Sequence, residues 1–188
     1  MSNLVDKQCK DTEWWTPESI LEPVRRYFRS LGADGIELDP ATDVSNPTGA
    51  KRIYTGCDQK LERLVGKGGL TKPWEDYTFL NPPYGKVMRE WLDKVRMEAE
   101  RGIVMVVLLP ASRWEQGYFQ KCVFNDNLLG FCMVRKRVKF EKPDGTVCKS
   151  NPYASILYAY NGDFSKFGEL DRIGTTVQTQ HIRQYAEL

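Results

Sequence analysis

The sequence predicts an α/β fold with a mainly parallel sheet and a terminal antiparallel hairpin. Residues 103–109 form a continuous apolar run, which is typical of a strand that is buried on both faces of a parallel sheet. Before this run, an apolar strand at 77–80 is followed by a helix at 88–101, whose apolar residues recur with the helical period, so the three elements form a βαβ unit. A Pro143-Asp144-Gly145 turn among later β-like runs predicts the antiparallel part.

Capping and turn residues predict the other elements. Thr16 and Pro17 are suited to the N-cap and the first position of a helix, which Pro23 should break or restart before Gly32 ends it. The glycines of the 66–69 segment predict a flexible linker. The remaining predictions are short strands at 35–40 and 52–55, a helix at 115–123, and strands at 128–134, 138–140 and 154–160.

Length and composition predict one globular domain that spans residues 1–188. The chain has 41% hydrophobic and 28% charged residues, a balance that favours a folded core over disorder. Residues 1–10 lack the apolar centre of a signal peptide, and the longest apolar run, 103–109, is too short to cross a bilayer. We therefore expect a cytoplasmic protein with no membrane partner.

The cysteine and histidine content limits the possible chemistry. The five cysteines are an odd number without a Cys-x-x-Cys spacing, and the chain has one histidine. This pattern argues against a structural zinc site, a disulfide scaffold and histidine-based catalysis, so no metal is expected.

The positive charge is concentrated in one segment. Residues 135–149 carry six cations and two anions, whereas the whole chain has a net charge of only +2. Two interpretations are open for this basic segment: an edge that contacts nucleic-acid phosphates, or a solvated strand face. Four of its cations are the candidates for phosphate contact, namely Arg135, Lys136, Arg137 and Lys139.

The segment Asn81-Pro82-Pro83-Tyr84-Gly85 follows a predicted strand, where ligands bind in open α/β sheets. The side-chain oxygen of Asn81 and the carbonyl of Pro82 can accept hydrogen bonds from an aromatic amino group, such as that of adenine, and so free its lone pair. Pro83 helps to fix the backbone, and Tyr84 offers a face on which a base can stack. The alternative interpretation is a rigid turn.

This segment and four others together resemble the phage-type, Dam-like DNA N6-adenine methyltransferases. The similarity extends over residues 14–160. It comprises a Trp-x-Thr-Pro segment at 14–17, Leu-Asp-Pro-Ala at 38–41, Asn-Pro-Pro-Tyr-Gly at 81–85, Leu-Pro-Ala at 109–111, and an Arg-x-x-Phe element at Arg137 and Phe140.

The resemblance implies a Rossmann-like methyltransferase fold and transfer of a methyl group from S-adenosylmethionine to a flipped adenine in double-stranded DNA. Because few residues beyond the fold itself follow Leu109, we expect no large separate target-recognition domain. The resemblance makes protection of a phage genome from restriction a suitable role. Phe140 would be the opposite wall of the adenine pocket, although a core aromatic is an equal alternative. The implied catalytic residues are Asn81, Pro82, Pro83 and Tyr84; the implied cofactor residues are Thr16, Pro17, Asp39, Pro40 and Ala41.

Elementary chemistry is consistent with this cofactor site. A carboxylate at a strand end, such as Asp39, can bind the α-ammonium of S-adenosylmethionine, and a helix N-terminus near Thr16 and Pro17 suits the carboxylate of the same molecule. The alternative for Asp39 and Pro40 is a turn that closes the strand.

The chain also departs from the expected pattern. The Gly-x-Gly of many other methyltransferases is absent, and Gly68-Gly69-Leu70 stands where family members have Asp-Gly-Leu. We expect Asp58, in the preceding loop, to substitute for the missing carboxylate. Two further functions remain open: the same chemistry on RNA adenine or protein glutamine, and a non-catalytic DNA-binding module.

Overall fold

A computed structural model describes residues 14–55, 68–148 and 151–179, which contain a sheet of seven strands in the order β2-β1-β3-β4-β6-β5-β7. The strands are β1 Leu38–Asp39, β2 Arg52–Ile53, β3 Thr78–Leu80, β4 Met105–Pro110, β5 Leu128–Val134, β6 Ser155–Tyr160 and β7 Gly174–Gln178. The helices are α1 Glu18–Ser30, α2 Met88–Glu100, α3 Gly117–Val123 and α4 Gly168–Asp171, with 3₁₀ turns at Ala111–Arg113 and Phe164–Lys166.

Five strands run in one direction. Strands β2, β1, β3 and β4 pair in parallel, whereas β6 is antiparallel to both β4 and β5, so β5 runs in the direction of β4. Strand β7 is antiparallel to β5. The predicted α/β fold and its βαβ unit, β3-α2-β4, are confirmed. The antiparallel part is larger than the predicted hairpin because it also includes β7.

The segment predicted as a strand at 138–140 is not one. Its neighbour Glu141 forms isolated antiparallel bridges with Trp15 and Val147, and the chain between Glu141 and Val147 turns at Pro143-Asp144-Gly145. The prediction was wrong because the burial of this short run alternates as in a strand, with Val138 and Phe140 buried and Lys139 exposed, whereas its pairing is limited to isolated bridges at Glu141.

Helix α1 begins one residue later than predicted, and Pro23 does not break it. Its N-cap is Pro17, and Pro23 lies inside the continuous helix Glu18–Ser30. A proline here removes one backbone hydrogen bond. Packing offsets that loss, because one face of the helix is buried on both sides of the proline. The buried residues are Ile20, Leu21, Val24, Tyr27 and Phe28.

Helices cover both faces of the sheet. Apolar residues of α2 and α3 pack on one face, and those of α1 and α4 pack on the other. All six residues of β4 are buried, and the first five, Met105 to Leu109, alternate between the two clusters, so the prediction of a strand buried on both faces is confirmed. No helix within 14–55, 68–148 or 151–179 is long and apolar enough to cross a membrane.

The predicted linker glycine Gly69 is a close-packed residue. A Cβ atom at this position would lie 2.1 Å from the carbonyl oxygen of Pro40 and 2.4 Å from the ring of Trp91. The same loop is held by the indole of Trp74, which donates a hydrogen bond to the carbonyl of Gly69 over 2.7 Å. The absence of a side chain at Gly69 therefore lets this loop pack against the carboxyl end of β1.

We predict that Gly69→Ala lowers the free energy of unfolding by about 1 to 3 kcal/mol, because the added methyl group overlaps backbone and a buried ring. Urea unfolding measures the change. Gly117→Ala is the matched control: its Cβ would meet no atom within 4 Å, so its stability should equal or exceed that of the wild type. Equal stability of Gly69→Ala and the wild type would contradict the packing described here.

Candidate active site at the carboxyl edge of the sheet

The topology leaves a crevice between the carboxyl ends of β1 and β3. The chain leaves β1 toward β2 on one side, whereas it leaves β3 toward β4 on the other side. Ligands bind at such a reversal in open α/β sheets. Because β1 and β3 are parallel with Leu38 opposite Thr78, the residues after Asp39 and those after Leu80 emerge side by side, about 5 Å apart.

Asp39 is a buried carboxylate at one side of this crevice. Its side chain accepts hydrogen bonds from the backbone N–H of Ala41 over 3.0 Å and from the hydroxyl of Thr48 over 2.9 Å, and Thr42 also donates to it. Burial nevertheless raises the pKa of Asp39 to about 6. These donors hold the loop after β1, and they occupy three of the roughly four acceptor positions of a carboxylate.

Asn81 lies at the other side of the crevice and is joined to the N-terminal segment. Its Nδ2 donates a hydrogen bond to the hydroxyl oxygen of Thr16 over 3.2 Å, although the two residues are 65 positions apart. Its Oδ1 is buried and has no hydrogen-bond partner among the described residues. A buried amide oxygen without a partner is rare in folded proteins, since it loses its bonds to water.

Trp15 holds the N-terminal segment across this edge. Its backbone exchanges hydrogen bonds with Glu141 over 2.6 and 3.0 Å, and its indole donates to the carboxylate of Asp43 over 2.9 Å. The segment therefore connects the loop after β1 with the turn after β5. The predicted residues Thr16, Pro17, Asp39, Pro40 and Ala41 lie together with the Asn81 segment at this edge.

Tyr84 is the aromatic residue of this motif. The residue is 38% exposed, yet burial of its hydroxyl raises the pKa of the phenol above its usual range. Pro82, two residues earlier, is buried, and none of the hydrogen bonds within the described residues uses its carbonyl. The motif thus presents two acceptors and one partly exposed aromatic ring.

Cations surround this edge. Arg135, Lys136, Arg137 and Lys139 follow β5 and are exposed, and within the part of the chain that the structure describes none of them pairs with a carboxylate. Cations of α1 and α2, by contrast, pair with neighbouring glutamates. Arg137 also donates to the carbonyl of Pro152 over 2.9 Å, so it braces the segment before β6.

Two predicted site residues are not placed in the crevice. Phe140 is only 7% exposed and packs in the core cluster beneath α1, which supports the core alternative for this side chain. Asp58 lies outside the described residues. No group of three or more His, Cys, Asp and Glu side chains within 14–55, 68–148 and 151–179 is placed to hold a metal ion.

The structure adds four candidates that sequence reasoning missed. Lys86 and Arg113 follow β3 and β4 at the same edge, and Tyr153, 48% exposed, precedes β6. Asp43 is held against Trp15. The two cations lie far from the basic segment in sequence, so no local charge count could detect them. All four candidates share a position within six residues of a strand end at this edge.

Comparison with known proteins does not extend this description: no protein-family model matches the chain, and no curated protein matches it significantly.

The titration of Asp39 gives a prediction for stability. Its pKa is about 6 in the folded chain and has an ordinary value of 3.8, so the folded state binds more protons between these values. The stability that preferential proton binding by folded Asp39 contributes is fully present below about pH 4 and is lost as the pH rises through 6. Asn cannot ionise, so between pH 4 and pH 7 Asp39→Asn should gain up to about 3 kcal/mol of stability relative to the wild type.

Denaturant unfolding at intervals from pH 4 to pH 8 measures this difference. Asp126→Asn, which changes an exposed carboxylate, is the matched control and should follow the wild type. Parallel pH profiles for Asp39→Asn and the wild type would show that Asp39 is not a costly buried charge.

Proposed function

We propose that this chain is a DNA adenine N6-methyltransferase with a Rossmann-like methyltransferase fold. On this proposal it transfers a methyl group from S-adenosylmethionine to the exocyclic amino group of an adenine that has left its stack. The observation that carries the proposal is the buried, unpartnered Oδ1 of Asn81 at the carboxyl end of β3. An acceptor that has no partner among the described residues, at a ligand-binding edge, is suited to a donor that a ligand supplies.

The amino group of adenine is such a donor, because it carries two N–H groups. Its lone pair is delocalised into the ring, so the nitrogen is a poor nucleophile. Acceptance of one N–H by Asn81 Oδ1 and of the other by the Pro82 carbonyl favours tetrahedral geometry and frees that lone pair. Pro82 and Pro83 restrict the backbone, so little reorganisation accompanies the reaction.

The residues around Asp39 fit the proposed cofactor. A buried carboxylate with a raised pKa is stabilised by a cation, and the α-ammonium of S-adenosylmethionine is one. Three internal donors leave about one acceptor position free, which suffices for one N–H of that ammonium. The N-terminus of α1, at Pro17 and Glu18, offers backbone N–H groups to the cofactor carboxylate.

When bound, S-adenosylmethionine supplies an electrophilic methyl group on a sulfonium. Asp39 and the N-terminus of α1 would hold the cofactor, whose methyl group would pass to the adenine nitrogen and leave the sulfur as a thioether. Asn81 and Pro82 hold the nitrogen in line, and Tyr84 stacks on the base. Neither acceptor is a base at neutral pH, so the extra proton leaves to water.

The cationic edge supports nucleic acid as the substrate. Exposed, unpaired cations next to the proposed base pocket suit phosphates on either side of a flipped nucleotide. Exposed Tyr153 lies in the segment that Arg137 braces, where it can stack on a neighbouring base. An RNA adenine, a protein glutamine and a non-catalytic DNA-binding role are the competing outcomes of the test that follows.

We predict that Asn81→Leu lowers methyl transfer at least 100-fold, since it removes a transition-state acceptor. Tritium transfer from labelled S-adenosylmethionine is measured in parallel on double-stranded DNA, RNA and protein. Only DNA should be labelled by the wild type. Asn81→Asp retains an acceptor oxygen and should keep part of the activity.

Calorimetry supplies the control for this variant. Asn81→Leu should bind S-adenosylmethionine with unchanged affinity, whereas Asp39→Asn should bind it more weakly. Near-normal transfer by Asn81→Leu would refute the catalytic assignment, and labelling of RNA or protein in place of DNA would refute the substrate.

We predict that neutralising Arg135, Lys136 and Lys139 to glutamine weakens DNA binding about equally for all sequences. Each lost phosphate contact should reduce the slope of log affinity against log salt by roughly one unit. Arg137 is left unchanged because its side chain also donates a hydrogen bond to the carbonyl of Pro152. Fluorescence anisotropy at several salt concentrations gives the slope.

The control removes positive charge from exposed lysines away from this edge, at Lys121 and Lys166. It should leave the slope close to that of the wild type. A wild-type slope for the Arg135, Lys136 and Lys139 variant would assign the basic segment to a solvated face.

A further inference from the structure

We infer that Thr16 is a positioning residue for Asn81: its hydroxyl tethers the amide of Asn81 so that the unpartnered oxygen is held ready for the substrate amino group. The inference rests on the proposed function, and it gives Thr16 a role other than the cofactor contact that the resemblance implies. Its basis is the hydrogen bond from Asn81 Nδ2 to the Thr16 hydroxyl oxygen, 3.2 Å long.

Thr16 can serve as a fixed point because it is held on both sides. The residue is 6% exposed. On its N-terminal side, Trp15 is paired with Glu141 through two backbone hydrogen bonds. On its C-terminal side, the carbonyl of Pro17 accepts hydrogen bonds from Ile20 and Leu21 at the start of α1. The hydroxyl therefore has little freedom to follow a moving partner.

Asn81, by contrast, has few restraints of its own. It follows the last residue of β3, and its side chain is tied by one hydrogen bond within the described residues. An asparagine side chain has two rotatable bonds, and its terminal torsion is broad. With Nδ2 bound to Thr16, the oxygen is the free end of the amide, which is the end that an amino-group donor requires.

The hydrogen bond from Asn81 to Thr16 also explains why the Asn81 oxygen stays without a partner among the described residues. A buried amide oxygen without a partner is unfavourable, and a free side chain would rotate toward any available donor. A hydrogen bond to a buried, doubly anchored threonine opposes that rotation. Preorganisation of this kind lowers the cost of reaching the transition state rather than the cost of binding.

Thr16→Val tests the tether, because it keeps the side-chain volume and removes the hydroxyl. We expect kcat at saturating DNA and cofactor to fall roughly 3- to 10-fold, the range that corresponds to one neutral hydrogen bond. The dissociation constant for S-adenosylmethionine, measured by calorimetry, should not change. Thr16→Ser retains a hydroxyl and should restore most of kcat.

A second readout does not depend on activity. The two Nδ2 proton resonances of Asn81 can be assigned in a ¹⁵N spectrum as those that disappear in Asn81→Ala. Thr16→Val should shift them, and Thr16→Ser should return them toward the wild-type position. Thr78→Val is the matched control, since it removes a buried hydroxyl that donates to the Glu75 carbonyl; it should cost stability but change neither these resonances nor kcat.

The outcomes separate the possible roles. An increased dissociation constant for the cofactor with unchanged kcat would overturn the inference and make Thr16 a cofactor contact. Unshifted Asn81 resonances in Thr16→Val would overturn it as well. A wild type that transfers no methyl group, together with shifted resonances in Thr16→Val, would refute the proposed function while it upheld the tether.

Discussion

The parallel pairing of β3 with β1 on one side and β4 on the other is the constraint on which the candidate site depends. It places the ends of β1 and β3 next to each other, so that Asp39 and Asn81 face one crevice although 42 positions separate them in the chain. The pairing is stable because β3 and β4 are buried between helices on both faces. Removal of apolar surface from water thus fixes the positions of polar groups at the edge.

The edge concentrates features that reduce stability. Asp39 is a buried charge with a pKa of about 6, the Oδ1 of Asn81 has no partner among the described residues, and the exposed cations after β5 form no ion pair within residues 14–55, 68–148 and 151–179. Each feature is unfavourable for folding alone. Their coincidence at one end of a sheet whose other parts are closely packed is typical of a site that has been shaped by ligand binding.

The sequence predicted the parts of the fold that a local pattern encodes. Strands β4 and β5 were evident from their apolar runs, and helix α2 was evident because its apolar residues recur with the helical period. Strand β7 and helix α4 were not predicted, since β7 is polar and largely exposed and forms through its pairing with β5. Helix propensity alone also led to the wrong prediction that Pro23 breaks helix α1, because packing stabilises that helix. The site motifs were visible, but the contact between Thr16 and Asn81 was not, because no local rule relates residues 65 positions apart.

The central claim is that this edge directs a methyl group to one nitrogen of adenine. Its most direct test uses S-adenosylmethionine with a deuterated methyl group, unmethylated double-stranded DNA, digestion to nucleosides and mass spectrometry. The account predicts that the label is recovered as N6-methyldeoxyadenosine and in no other nucleoside. Recovery of the label on another base or atom, or no label in DNA from a protein that binds both DNA and cofactor, would contradict it.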